Sequence, residues 1–382
     1  MSGALDLIWH ALRDSLLMAW EVWWALVLGF TISAIVQAWV PREHVQRALA
    51  GSGPRPLTLA TGLGAASSSC SYAAVAIAKS LFQKGASAST ALAFQFASTN
   101  LVWELGLVLW VLIGWQFALA EFLGGIVMVV LMALLLRVFV SERLERRARA
   151  HAHTADAGQH SHHAHSEHRG EASEADGAAR RERLTSRSAW SEVAGNFRAD
   201  WGMLYREIAA GFVLAGFVAQ LGDGFFESLF IRNAPAPLPT LENVLVGPLI
   251  AVASFVCSLG NVPLAAVLWS GGIGFAGVLS FLFADLIVLP IVAIYRKYYG
   301  GAFALRIVAL MFVTMVLASL IVSGLFNLAG LIPSGPRPTR ADVFGSVSVD
   351  YKLVLNVIGA TIFATLFALR APTSARPRSS AG

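Results

Sequence analysis

Two Cys-Ser pairs, Cys70-Ser71 and Cys257-Ser258, lie far apart in the chain, each in apolar surroundings. Thiolates prefer soft metal ions and thiophilic solutes, and serine hydroxyls both donate and accept hydrogen bonds. A free cysteine is also a common small buried residue, so a single pair would be weak evidence for a site. Because the pair occurs twice, we expect Cys70, Ser71, Cys257 and Ser258 to contribute to one binding site for a soft solute.

The sequence around the two pairs repeats at an offset of 187 residues (257 − 70), without a gap, for about 35 residues. The offset also aligns Gly85 with Gly272 and Phe94 with Phe281. We interpret this as a duplication, in which two polar, helix-weakening segments face one another near the middle of a membrane. Small residues at these positions could instead serve only for close helix packing, which does not account for Asn261 and Pro263.

Several polar residues lie within these apolar stretches. Glu104 and Asp285 are predicted to couple transport to protons, because an ionisable residue inside a membrane span is costly and is retained for function. A structural ion pair or a position near a helix end is the alternative for each. Asn100 and Asn261 are expected to bind substrate beside the serines. Pro lacks the backbone donor and Gly weakens helices, so Gly260-Asn261-Val262-Pro263 is predicted to interrupt the helix.

The composition indicates that these residues lie on membrane-spanning helices. Of 382 residues, 56% are hydrophobic and only 13% are charged, whereas soluble domains have about a quarter charged residues. Since a spanning helix needs about 20 apolar residues, the sequence predicts an all-α integral membrane protein, a polytopic helical bundle of about 8–10 spans with two homologous halves. The predicted apolar segments are 15–40, 57–81, 86–113, 116–140, 203–221, 243–270, 272–294, 302–328 and 353–369.

The charged residues divide the chain into four regions. Residues 1–140 form the first membrane half with its Cys-Ser motif, 201–370 the second half with its motif, and 371–382 a flexible tail. Residues 141–200 are rich in Arg and His and are predicted to be a disordered linker. The excess of basic residues places this linker, and with it the N-terminus, in the cytoplasm. A segment at 41–47 is expected to lie at the membrane surface.

A tract of histidines in the linker is the one other group that could bind metal. Weak, transient metal binding is the most that this composition predicts, and low-complexity drift explains it equally well. The histidines in question are His160, His162, His163 and His165.

At the duplicated motifs the chain resembles the predicted permease family that includes the organoarsenical efflux permeases. Members carry two Cys-Ser-centred motifs followed by a Lys/Arg-Gly-Ala-Ser turn, and here Lys84-Gly85-Ala86-Ser87 follows Cys70-Ser71-Tyr72-Ala73. The second copy reads Cys257-Ser258-Leu259-Gly260-Asn261-Val262-Pro263. The first copy departs from the family pattern at Tyr72, at Ala76 and at Ser98-Thr99-Asn100, which leaves the cargo open. The resemblance implies a permease.

These observations together predict a secondary transporter of the cell inner membrane that exports a small toxic or thiophilic solute by alternating access with proton coupling. The alternative is a non-transporting membrane metal sensor or scaffold that acts through the His-rich linker. No nucleotide-binding loop, nucleophile elbow or HExxH motif is found in the sequence, so we expect neither an enzyme nor a cofactor. The expected partners are a small molecule or ion and the lipid bilayer, not nucleic acid, and a homo-oligomer is compatible with the sequence.

Overall fold

The computed structural model describes residues 2–39, 53–67, 71–157, 187–221, 230, 237–254, 258–335, 337 and 351–369. The protein is all-α over these ranges, as the composition predicts. The helices of the first part are α1 (Ser2–Trp39), α2 (Pro54–Ser67), α3 (Ser71–Gln83), α4 (Ala88–Asn100), α5 (Trp103–Leu112), α6 (Trp115–Phe139) and α7 (Glu142–Ala157). Those of the second part are α8 (Arg187–Ala219), α9 (Leu238–Ser254), α10 (Ser258–Gly271), α11 (Phe275–Phe283), a 3₁₀ turn (Ala284–Leu286), α12 (Leu289–Tyr299), α13 (Gly301–Leu328) and α14 (Tyr351–Ala368).

Membrane spans are recognised here by length and composition. In the described part of the chain, four helical stretches are long and apolar enough to cross a bilayer: Leu5–Ile32 in α1, α6, α13 and α14. Two bent helix pairs, α4–α5 and the α11-to-α12 stretch, bring the number to six if each pair counts as one span. Three shorter apolar helices lie at Ala74–Gln83, Ile208–Ala219 and Leu238–Ser254. The protein is therefore a multi-pass helical membrane bundle.

Four of the predicted apolar segments each contain two described helices. The segment at 57–81 becomes α2 and α3, and that at 243–270 becomes α9 and α10. The segment at 86–113 bends by 40° between α4 and α5, and that at 272–294 bends by 42° before α12. A hydropathy pattern reports apolar character but not helix direction, so continuous runs concealed these bends.

The predicted interruption at Gly260-Asn261-Val262-Pro263 was wrong, because α10 runs from Ser258 to Gly271 with Pro263 inside it. The preceding helix, α9, is described as far as Ser254, and residues 255–257 lie outside the described residues. Proline within a membrane helix is tolerated where neighbouring groups satisfy the carbonyl that it frees.

Helix ends in the two halves follow the offset of the sequence repeat. Helix α3 ends at Gln83 and α10 at Gly271, while α4 and α11 begin at Ala88 and Phe275, a separation of 187. Gly85 and Gly272 follow in the next turns with φ of 103° and 114°, a region of φ that favours glycine. Helix packing has the same pattern, because α2 packs against α4 as α9 packs against α11. These agreements support the predicted duplication.

An arginine holds each of the two glycine turns. The Arg149 guanidinium donates to the Ala86 carbonyl at 2.8 Å and lies 4.7 Å from the Phe82 ring centre. Arg337 donates to the Ile273 carbonyl at 2.8 Å and lies 4.3 Å from the Trp269 ring centre. The carbonyls and the rings both correspond at the offset of 187. Each arginine thus combines a hydrogen bond with a cation–π contact at the equivalent turn.

The predicted disordered linker is helical at both of its described ends. Helix α7 occupies Glu142–Ala157, and α8 begins at Arg187, so disorder does not describe these parts of 141–200. The Glu145 carboxylate accepts a hydrogen bond from the Ala88 N–H at 3.1 Å, where α4 begins. Gln83 donates to the Ala152 carbonyl at 2.7 Å. Helix α7 is therefore part of the folded bundle, and residues 158–186 lie outside the described residues, as do 41–47 and 371–382.

Candidate functional site

The Asp285 carboxylate is where the two halves meet. The Ser71 hydroxyl of α3 donates to its Oδ2 at 2.9 Å, and the Ser258 hydroxyl of α10 donates to the same oxygen. The two serine oxygens are 3.4 Å apart. Three residues singled out from sequence thus form one cluster, although they are separated by up to 214 positions in the chain.

Opposing physical effects act on this carboxylate. Asp285 is fully buried in the 3₁₀ turn between α11 and α12, and burial disfavours a charged group. The two serine hydroxyls that donate to Oδ2 favour the charged carboxylate, because hydrogen bonds to the charged form stabilise it. Oδ1 of Asp285 has no hydrogen-bond partner among the described residues. The site can therefore hold either a carboxylate or a protonated acid, with one oxygen available to a ligand.

A second buried contact joins the two halves. The Gln95 amide of α4 donates to the Tyr295 hydroxyl of α12, and both side chains are fully buried. Sequence inspection gave Tyr295 no role, because a tyrosine in an apolar helix carries no distinctive pattern.

Asn100 and Asn261 are both fully buried, and each is bonded within its own half. The Asn100 amide donates to Thr99 Oγ1 at 2.8 Å and to the Phe96 carbonyl at 3.1 Å. Oδ1 of Asn261 accepts from Ser254 at 3.4 Å. Among the described residues, Asn100 Oδ1 and Asn261 Nδ2 have no hydrogen-bond partner, so each amide retains an atom for a ligand. A substrate-binding role for the two asparagines stays a prediction.

Glu104 lies in a different environment from Asp285. It occupies the first turn of α5 and is buried. Its backbone packs against α1, where a Cβ added at Gly29 would lie 2.6 Å from the Glu104 Cα. The two carboxylates predicted for proton coupling are thus held by different sets of helices.

Glu121 is a fully buried acid in α6 that sequence reasoning passed over. It stands between Ala120 and Phe122 in an apolar run, which is the signal that drew attention to Glu104.

The remaining predicted residues lie outside the described part: Cys70, Cys257 and the linker histidines His160, His162, His163 and His165. Within the described ranges, no group of three or more His, Cys, Asp or Glu residues is placed to hold a metal ion. Metal binding by the linker and solute binding by the cysteines stay predictions.

A cavity of about 480 Å³ opens at the Gly272 turn and is lined by residues that include Asn243, Ser270 and Arg337. Asn243 Oδ1 accepts from the Gly274 N–H at 2.6 Å, which fixes this turn. The cavity lining does not include Asp285, so the two features are distinct.

A comparison of the whole chain with known families agrees with the assignment that the paired motifs suggested. A family model described as "Predicted permease" matches residues 8–324. The chain belongs to this permease family. The match includes both serines, Asp285, α7 and most of each membrane half, so the site lies within the part that defines the family.

Two relatives extend this assignment. The permease is 45% identical over 331 residues to the "Putative permease Rv2963" of Mycobacterium tuberculosis, covering 86% of this chain and 79% of that protein. It is 29% identical over 141 residues to the "UPF0718 protein YraQ" of Escherichia coli, covering 37% of this chain and 41% of that protein. No solved structure matches the chain significantly. Family and relatives support membrane transport, rather than enzymatic catalysis, as the function.

Proposed function

We propose that this permease is a secondary transporter that moves a small solute through the Ser71–Ser258–Asp285 cluster by alternating access coupled to protons. The proposal rests on one observation: the Asp285 carboxylate accepts a hydrogen bond from one serine hydroxyl of each half. Because the donors belong to different halves, any rocking of one half against the other must lengthen at least one of these bonds.

Protonation of Asp285 reduces the energetic cost of lengthening one of these hydrogen bonds. A buried carboxylate needs its donors, since an unpaired charge in apolar surroundings is strongly unfavourable. A neutral carboxyl needs fewer, because it carries no net charge and one of its oxygens becomes a donor. Proton binding therefore favours conformations in which one serine has moved away, and proton release favours the arrangement described above. This links the protonation of one residue to the relative position of the halves.

The proposed cargo is a toxic thiophilic solute, and export is the proposed direction. Cys70 and Cys257 directly precede the two serines in sequence, and thiolates bind soft ions and trivalent arsenic compounds well. The side chains of the cysteines are outside the described residues, so adjacency in sequence is the support for this step. The inner membrane, with the N-terminus and linker in the cytoplasm, is the proposed location because of the basic linker.

The proposal is tested by a toxicity and uptake panel in a sensitive bacterial host. The panel comprises organoarsenicals, arsenite, antimonite, copper and zinc, with wild type beside Asp285→Asn, Cys70→Ser and Cys257→Ser. Glu192→Gln, at an exposed position of α8, is the matched control for loss of one carboxylate. We expect Asp285→Asn to abolish protection and the cysteine variants to reduce it, with Glu192→Gln unchanged.

Each arm addresses a separate part of the proposal. Wild-type behaviour of Asp285→Asn on a solute that wild type exports would exclude the serine–aspartate cluster as the transport site. Transport that is independent of both cysteines would exclude thiol ligation of the cargo while leaving the cluster in place.

A further inference from the structure

Glu121 is, with Asp285, one of two acids in the described part of the chain whose relative exposure is 0%, and it has no part in the transport step proposed above. It is fully buried in α6, and both of its carboxylate oxygens lack a hydrogen-bond partner among the described residues. Buried polar groups are ordinarily hydrogen-bonded, so an acid with two unpartnered oxygens points to a ligand or a proton.

Helix α6 passes both of the bends that divide the membrane segments. A Cβ added at Gly124 would lie 2.1 Å from the Phe283 ring, next to the turn that contains Asp285. One added at Gly125 would lie 2.6 Å from Leu101 and 3.5 Å from Asn100, at the bend of the first half. Glu121 lies three and four residues before these glycines and so shares their face of the helix. It therefore faces the region where both bends meet.

The surroundings of Glu121 contain few other charges. The described helices that pack closely against α6 are α4, α5, α11 and α13, and together they carry only Glu104 and Arg306 as charged residues. Glu104 lies against α1, and Arg306 donates to the Phe139 carbonyl at the far end of α6. The turn that contains Asp285 reaches the same face of α6, because Phe283, which directly precedes the turn, lies against Gly124. Apart from Arg306 at that far end, the helices packed against α6 carry no cation that could neutralise Glu121.

Two neighbouring carboxylates in an apolar environment do not both remain charged, because repulsion adds to the cost of burial. Protons then bind to the pair as a unit. We propose that Glu121 and Asp285 share protons during the transport cycle, with Glu121 as the second proton-carrying residue. This deepens the proposed function and rests on it. Glu121 supplies the proton site of the first half, while Asp285 supplies that of the second.

The proton itself serves as the probe in a test of this pair. The full-length permease in lipid is titrated with acid while infrared difference spectra record the C=O stretch of protonated carboxyl groups. The variants are Glu121→Gln, Asp285→Asn and the double variant, with Glu142→Gln, exposed at the start of α7, as the matched control. We expect each single variant to lose one buried carboxyl band and to shift the titration midpoint of the remaining one. The double variant loses both bands, and the control matches wild type.

A Glu121→Asp variant distinguishes loss of the carboxyl group from misfolding. It keeps the acid, so the carboxyl band should return in a protein whose helix content matches wild type. A Glu121→Gln spectrum with every wild-type band and midpoint would overturn the inference. Arsenite and antimonite transport by the same variants separates it from the proposed function. Loss of transport in Asp285→Asn, together with a wild-type response to pH in Glu121→Gln, would remove Glu121 from the cycle and leave the Asp285 proposal standing.

Discussion

Replacing Gly211 by alanine should move the helix that carries Ser258. Gly211 lies in α8 and faces Gly260 of α10, two residues beyond Ser258. A Cβ at Gly211 would lie 2.3 Å from the Gly260 carbonyl oxygen and 2.5 Å from its Cα. Both atoms belong to the backbone, so no side chain can rotate away and the two helices must separate.

The size of the effect follows from these distances. Carbon–oxygen contacts between packed helices are ordinarily about 3.3–3.6 Å, so the helices must move apart by about 1 Å. Overpacking of this kind costs about 1–3 kcal/mol. Alanine recovers about 0.5–1 kcal/mol because it favours the helix over glycine. We expect Gly211→Ala to lower the free energy of unfolding by about 1–2 kcal/mol and to weaken the hydrogen bond from Ser258 to Asp285.

Helix α8 supplies its own controls. A Cβ added at Gly195 or Gly202 would have nothing within 4 Å, so alanine at either position should raise stability by about 0.5–1 kcal/mol. Unfolding of the purified variants in lipid bicelles measures both effects, and export of the cargo found in the panel measures the functional one. If Gly211→Ala were as stable as Gly195→Ala, the close approach of α8 and α10, and the argument built on it, would be refuted.

Three further predictions concern the site and its supports. Ser71→Ala and Ser258→Ala should each reduce transport roughly 10- to 100-fold, since a hydrogen bond to a charged group contributes about 1.5–3 kcal/mol; a strong effect of only one serine would contradict their shared role. Arg149→Gln and Arg337→Gln should each lower the free energy of unfolding by about 1–2 kcal/mol, measured by denaturation, and unequal effects would argue against equivalent turns. Deletion of 158–186 should leave transport unchanged in vesicles, and loss of transport would favour the linker-sensor alternative.

The sequence was sufficient for the membrane class and for the pairing of the two halves. Apolar runs separated by charged stretches identify membrane helices because the bilayer excludes charge. The 187-residue offset predicted that Ser71 and Ser258 would lie together, and their oxygens are 3.4 Å apart. This prediction succeeded because the repeated spacing of a motif can be read from the order of residues; the duplication itself stays a prediction.

The sequence did not reveal where the helices change direction or which distant helices pack together. The bends of 40° and 42° fall within unbroken apolar runs, so hydropathy could not locate them. Asp285 and Glu104 carried the same signal, an acid in an apolar segment, yet only Asp285 meets the serines. Glu121 carried that signal too. Which buried acids share a site depends on which helices pack together, and that depends on contacts between distant parts of the chain.

Helix α7 changes what the linker can do. The Glu145 carboxylate accepts the Ala88 N–H at the start of α4, Arg149 holds the Gly85 turn through Ala86, and His151 contacts the Lys297 carbonyl of α12 at 3.2 Å. One helix therefore touches elements of both halves at the end of the bundle where α3 turns into α4. If the halves rock about Asp285, the contacts of α7 with at least one half must change during the cycle. We therefore expect any effect of the linker on the cycle to come from α7, and not from residues 158–186, in agreement with the deletion prediction.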